Sequence, residues 1–260
     1  FTVRMSRDGR PLKIIIDATS GKVQTNWASS ATKNHASIAS ALGSEIFGNI
    51  RKWADSQTEL LKKTVVNQGS LIPINGKMHD AESITELSQI DERLGASPKD
   101  SSGTEILLID GPAGIGKTNL IEQLALYRAS NYRTTGRAPI LHVKSRGRVL
   151  SNIPDLLAFS LQTLRSNVTY DQVPILVKFG LIVLAIDGFD ELGDPNGYET
   201  AWAQLGDLVN FVRGSGVMIL SGRDTFIGRD RLLADVHAVR PDVDIVSSLT
   251  LHVPSREQAK

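Results

Sequence analysis

The chain has 260 residues, 41% of them hydrophobic, enough for one α/β domain of moderate size plus a smaller element. Its 29 Lys and Arg against 28 Asp and Glu leave a formal charge of +1, so no net field points to nucleic acid or an anionic membrane. The absence of cysteine excludes a disulfide framework and a thiolate metal site and fits a reducing, cytoplasmic setting.

Residues 2–22 read as a β-hairpin, with Asp8-Gly9 as the turn between two apolar runs. No leader is visible there, since Arg4, Arg7 and Arg10 interrupt the run. Residues 34–66 carry a helical period through Ile38, Leu42, Ile46, Ile50, Trp53, Leu60 and Leu61, weakened locally by Gly43 and Gly48. A polar stretch from 67 to about 104 follows, with a short helix expected over 83–94. The run 96–103, rich in Ser, Gly and Pro, reads as a linker. It divides a small α+β N-terminal region, 1–100, from a core over 101–260.

Beyond Gly103 apolar strands alternate with amphipathic helices. Strands are expected over 105–110, 139–144, 181–186, 217–220 and 248–253. Helices are expected over 117–130, 153–165 and 199–213. Continuous apolar strands separated by helices predict a parallel sheet covered on both faces. The longest apolar run, 181–186, is too short to span a bilayer. The chain lacks an initial methionine and stops at Lys260 inside what reads as a helix start, so a longer parent protein is expected.

Between the first strand and the first helix of this core lies Gly111-Pro112-Ala113-Gly114-Ile115-Gly116-Lys117-Thr118, followed by Asn119. The pattern Gly-x4-Gly-Lys-Thr in a strand–loop–helix context is a phosphate loop. Glycines let successive amides turn inward around phosphate oxygens, and the helix adds its positive end. Lys117 is expected to reach the β- and γ-phosphates of a nucleoside triphosphate, ATP above all. Thr118 would offer its hydroxyl to Mg²⁺.

The strand over 181–186 runs into Asp187-Gly188-Phe189-Asp190-Glu191. Carboxylates at the carboxyl edge of an α/β sheet sit where ligands bind. Asp187 is the expected Mg²⁺ partner, through water, and Asp190 or Glu191 would orient or deprotonate the attacking water. A solvated acidic turn is the bland alternative. A further strand exits through Ser221-Gly222-Arg223-Asp224. Arg223 there would sense the terminal phosphate, or else pair with Asp224 on a surface loop.

Together the phosphate loop, Asp187-Gly188-Phe189-Asp190-Glu191 and Ser221-Gly222-Arg223 resemble the NACHT family of signal-transducing ATPases, within the STAND class. The segment 249–259 is similar to that family's fifth strand and the start of its helical subdomain. Asn119 departs from the small hydroxyl residue usual there. The resemblance covers 103–260 and leaves residues 1 to about 100 unexplained. It implies a P-loop NTPase three-layer fold with sheet order 5-1-4-3-2. It also implies an ATP-controlled switch in intracellular signalling or defence, with a homo-oligomer forming once a trigger ligand is sensed. The alternative is an AAA+-type ring ATPase remodelling protein or nucleic acid. A small-molecule kinase would use the same loop, but the doubled acidic pair and Arg223 argue against it.

Weaker features carry bland expectations. Lys144, Arg146 and Arg148 read as a solvated loop rather than phosphate contacts, and Arg229 and Arg231 as helix surface rather than a finger into a neighbouring subunit. His35, His79, His142, His237 and His252 lack metal-ligand spacing. Trp27, Trp53 and Trp202 read as packing. Residues 71–75 are the guess for adenine recognition.

Overall fold

The computed structural model describes residues 1–28, 30–66, 74–80, 82–95, 103–145, 152–164, 168–191, 198–223, 225 and 228–253. Apart from Gly103, the linker expected over 96–103 lies outside the described residues, as do Arg146, Arg148, Asp224 and residues 254–259 of the strand-to-helix segment. Backbone contacts group the chain into two compact units, Phe1–Lys52 and Trp53–Lys260.

The first unit holds an antiparallel sheet in the order β1-β2-β3-β4, made of β1 (Thr2–Arg7), β2 (Arg10–Ile16), β3 (Val23–Trp27) and β4 (Lys33–His35). Asp8 and Gly9 have φ of 51° and 72°, as a two-residue hairpin turn requires at both central positions. Leu12, Val23 and Thr25 are buried on one face of this sheet. The single helical period read over 34–66 resolves into two helices. Gly43 caps α1 (Ile38–Leu42), and Asn49, at φ 45°, turns the chain before α2 (Ile50–Val66).

The second unit is built on a seven-stranded sheet in the order β6-β5-β11-β7-β10-β9-β8. Its parallel part comprises β7 (Glu105–Asp110), β8 (Ile140–Lys144), β9 (Val183–Asp187), β10 (Val217–Ser221) and β11 (Ile245–Leu251). Numbered within the core, that order is 5-1-4-3-2, as expected. The addition is β5 (Gly76–Met78) and β6 (Ser83–Ile84), which extend the sheet antiparallel to β11. The helix expected over 83–94 is the shorter α3 (Leu87–Arg93), behind β6.

Strand composition explains the layering. On one face Leu107, Ile109, Ile140, Val183, Ala185, Ile219, Leu249 and Leu251 pack with Leu120, Ile121, Leu124 and Ala125 of α4 (Lys117–Thr135) and with Leu61 of α2. The opposite side chains, Ile106, Leu108, Leu184, Ile186, Met218 and Leu220, are buried as completely. α5 (Ile153–Leu164), α6 (Val173–Lys178), α7 (Tyr198–Val212) and α8 (Arg229–Asp235) complete the helices, α6 having gone unread in the sequence. Edge strand β8 is closed by α2, where the Gln57 amide donates to the Ile140 carbonyl. α3 is fastened to α4 by a buried pair in which Arg128 Nε donates to Asp91 Oδ1 at 2.5 Å and Nη2 to the Leu94 carbonyl at 2.8 Å. In register Ser221 lies beside Ile109 and Lys144 beside Asp187, so the strand ends that carry the motifs meet at one edge.

Candidate nucleotide site

The loop between β7 and α4 has the backbone its sequence demands. Gly111, Gly114 and Gly116 have φ of 142°, 77° and 105°, the region that other residues enter only with strain. No atom stands within 4 Å of where a Cβ on Gly114 or Gly116 would lie, so the loop opens onto free space there. α4 begins at Gly116 with no side chain capping it, which leaves its positive end to an anion. Lys117 arches back over the loop, its ammonium donating to the carbonyls of Gly111 at 2.7 Å and Pro112 at 2.9 Å. An open glycine cradle, an uncapped helix start and an ammonium within one loop fit a polyphosphate.

The three acids at and beyond the end of β9 are each held by a side chain from a neighbouring strand or its exit. Asp187 is buried at the end of β9. Its Oδ1 accepts from Ser221 Oγ of β10 and its Oδ2 from His142 Nε2 of β8 at 3.2 Å. Burial alone would raise its pKa, but bonds from His142, Ser221 and Thr118 prevail and hold it below the ordinary carboxylate value. An ionised carboxylate near the Thr118 hydroxyl at the start of α4 makes a hard-oxygen pair that could hold Mg²⁺. Gly188, at φ 74°, turns the chain out of the strand; a Cβ there would lie 2.4 Å from Ser145 Oγ. Beyond it Phe189–Glu191 form a single 3-10 turn. Phe189 is fully buried, its ring 4.9 Å from that of Trp202. This anchor sets the two following acids. Asp190 is buried and accepts from Arg223 Nε at 2.6 Å, whereas Glu191 is exposed and accepts from Ser145 Oγ at 2.5 Å.

Sheet order and loop together decide the fold. It is a P-loop NTPase fold. No protein-family model matches the chain, and no curated protein matches it. Solved structures do match in part. PCH-2 from C. elegans aligns at 18% identity over 76% of this chain and 43% of its own, with a TM-score of 0.36. The replication initiator DnaA, bound to AMPPCP and single-stranded DNA, aligns at 16% over 62% of this chain and 43% of its own, with a TM-score of 0.33. The DnaC helicase loader aligns at 15% over 64% of this chain and 86% of its own, with a TM-score of 0.35. The chain thus spans less than half the length of the first two.

Loop, Asp187, Asp190, Glu191 and Arg223 lie on the loop and strand exits at one edge of the sheet, while other candidates are engaged elsewhere. Lys144 pairs with the buried Glu122 of α4, Arg229 donates to the Val246 carbonyl at 3.2 Å, and Arg231 is exposed. Asn119 offers its side-chain oxygen to the Gln123 amide at 3.3 Å. In the guessed adenine segment 71–75, residues 71–73 lie outside the described residues and Asn75 donates to the Val253 carbonyl at 3.1 Å. Among the described residues no helix is long and apolar enough to cross a membrane. Sequence reading missed His142 and Ser145, and it quoted Ser221 in a motif without giving it a role. Ser145 and Ser221 carried one signal, their position next to or at the end of a parallel strand, whereas His142, in the middle of β8, carried none.

Proposed function

We propose that this chain is the ATP-binding and ATP-hydrolysing core of a P-loop ATPase. The observation that carries it is three acids, each held by a side chain from a neighbouring strand or its exit, at the sheet edge that bears an open glycine cradle. In this reading residues 111–118 hold the phosphates and Lys117 neutralises the β- and γ-oxygens. Thr118 and Asp187 hold Mg²⁺, which when bound supplies positive charge to the phosphate oxygens. Of the two acids left open by the sequence, Asp190 already faces the Arg223 guanidinium. Glu191 is therefore assigned the attacking water: it orients the water and takes its proton, with Ser145 fixing the carboxylate's direction. Asp190 positions Arg223 for the terminal phosphate.

The regulatory switch and the ring-forming remodeller share every residue of this site. The matched solved structures include a replication initiator and a helicase loader, and the ring-forming remodelling ATPase is the finer function proposed. Turnover stimulated by a protein or nucleic-acid polymer would support it. Nucleotide retained through purification, with oligomers forming only on a trigger, would support the switch instead. The site itself is tested by calorimetry on Lys117→Ala. Loss of charge-assisted bonds of about 1.5–3 kcal/mol each should weaken triphosphate binding about 100-fold or more. Wild-type affinity would refute the site.

A further inference from the structure

A carboxylate that holds a metal through water must point in one direction, and groups that orient such ligands commonly set metal affinity. Asp187 accepts two such bonds, from Ser221 and His142. A carboxylate has about four lone-pair sites, so roughly two remain for Thr118 and the metal's hydration shell. Ser221 lies in the Ser221-Gly222-Arg223 motif, whereas His142 belongs to no motif.

His142 is placed by the sheet. It sits on β8 directly beside Ala185 of β9, on the face covered by α4. The alanine methyl leaves room for an imidazole to lie across β9 toward the next same-face side chain, Asp187. Both side chains are nearly closed off, at 6% and 7% exposure. Since the ionised Asp187 can only accept, Nε2 carries the proton of the 3.2 Å bond. The imidazole also lines a small cavity of about 160 Å³ with Gln57, Glu122, Lys144, Phe159 and Ser160. Glu122 and Lys144 pair with each other. The ring thus lies between the wall built by α2, α4 and α5 and the carboxylate.

We propose that His142 is a positioning residue for magnesium: through its bond to Oδ2 it fixes Asp187 in the orientation that receives the hydrated ion beside Thr118. This rests on the reading of Thr118 and Asp187 as the magnesium pair. The test is ATP binding by calorimetry across a Mg²⁺ titration, and in EDTA, for wild type, His142→Phe and His142→Gln. The phenyl ring keeps the volume and drops the donor, while the glutamine amide restores a donor. His142→Phe should raise the half-saturating Mg²⁺ concentration about 10- to 100-fold, the usual scale for groups that orient metal ligands. Affinity in EDTA should be unchanged, and His142→Gln should recover most of the loss. An unchanged Mg²⁺ requirement in His142→Phe would overturn the proposal. So would an equal loss in EDTA, which marks a purely structural histidine. Wild type that binds ATP without any Mg²⁺ dependence would instead sink the magnesium pair itself, and this proposal with it.

Discussion

Asp187 and Asp244 are both buried aspartates, and they stand at opposite ends of the same sheet. In each, burial alone would raise the pKa, and hydrogen bonds reverse the effect to hold the carboxyl below its ordinary value. What separates them is the kind of partner. Asp244 accepts from the backbone amides of Thr104 at 2.8 Å and Arg240 at 2.7 Å and from Arg213 Nη2 at 2.6 Å. These partners tie the starts of β7 and β11 to the end of α7. Asp187 is held by Ser221 and His142, and Thr118, which opens the helix behind the glycine cradle, also lowers its pKa. A perturbed carboxylate is therefore not a site by itself. It becomes a candidate where its partners belong to a loop that leaves space for a ligand.

The contrast breaks most sharply at the acids beside Asp187. Glu191→Gln should lower ATP turnover about 10²- to 10⁴-fold, the usual worth of a positioned acid or base, with ATP affinity retained. Asp190→Asn should cost less, because it loosens Arg223 rather than the water. If Asp190→Asn proves the more damaging in steady-state hydrolysis, the two roles are reversed. At the other end of the sheet, Asp244→Ala should cost about 3–5 kcal/mol in denaturant unfolding, since it strands a part-buried guanidinium and two amides. Turnover per folded molecule should not change. A variant as stable as wild type would show that the Asp244 network is dispensable.

The same contrast explains what could be read in advance. The phosphate loop was legible because eight consecutive residues specify it, and β7, β9 and β10 because each carries an uninterrupted apolar run. Partners drawn from other strands were not. A lone serine or histidine near a strand end is common, and nothing in the chain at His142 or Ser145 indicates that sheet register will set it beside Asp187 or Glu191. Short elements failed for a related reason. Gly76–Met78 and Ser83–Ile84 are too brief to display a period of two, so their pairing with β11 surfaces only in the fold. Val173–Lys178 carries a proline in its first turn and too few residues for a helical stripe. Asn49 escaped because a positive φ at a non-glycine residue leaves no mark in the hydrophobic pattern.

Arg223 sharpens the comparison from the other side. It is 57% exposed while its partner Asp190 is 6% exposed, so the pair contributes little to stability. An arginine that senses the terminal phosphate should show itself in function instead. Arg223→Gln should slow hydrolysis about 10- to 100-fold, the worth of one charge-assisted bond of about 1.5–3 kcal/mol, with ADP affinity unchanged. Equal weakening of ATP and ADP binding would assign it to holding the acidic turn.

The smallest effect expected is on the acid limb of stability. Asp244 has a folded-state pKa below its unfolded value of about 3.9. Its contribution is therefore present in full above that pH and is lost as pH falls through the folded value, because the unfolded chain then binds the proton more readily. Asp187 has the same sign. Unfolding free energy measured from pH 6 downward should decline below about pH 4 in the wild type. Asp244→Asn should start lower and decline less steeply, having lost one group whose protonation differs between the two states. Asp187→Asn should flatten the limb in the same way, and it alone should also change the Mg²⁺ dependence of ATP binding. Equal slopes in all three proteins would mean that neither aspartate is held in the ionised form by its partners, and the comparison would lose its electrostatic basis.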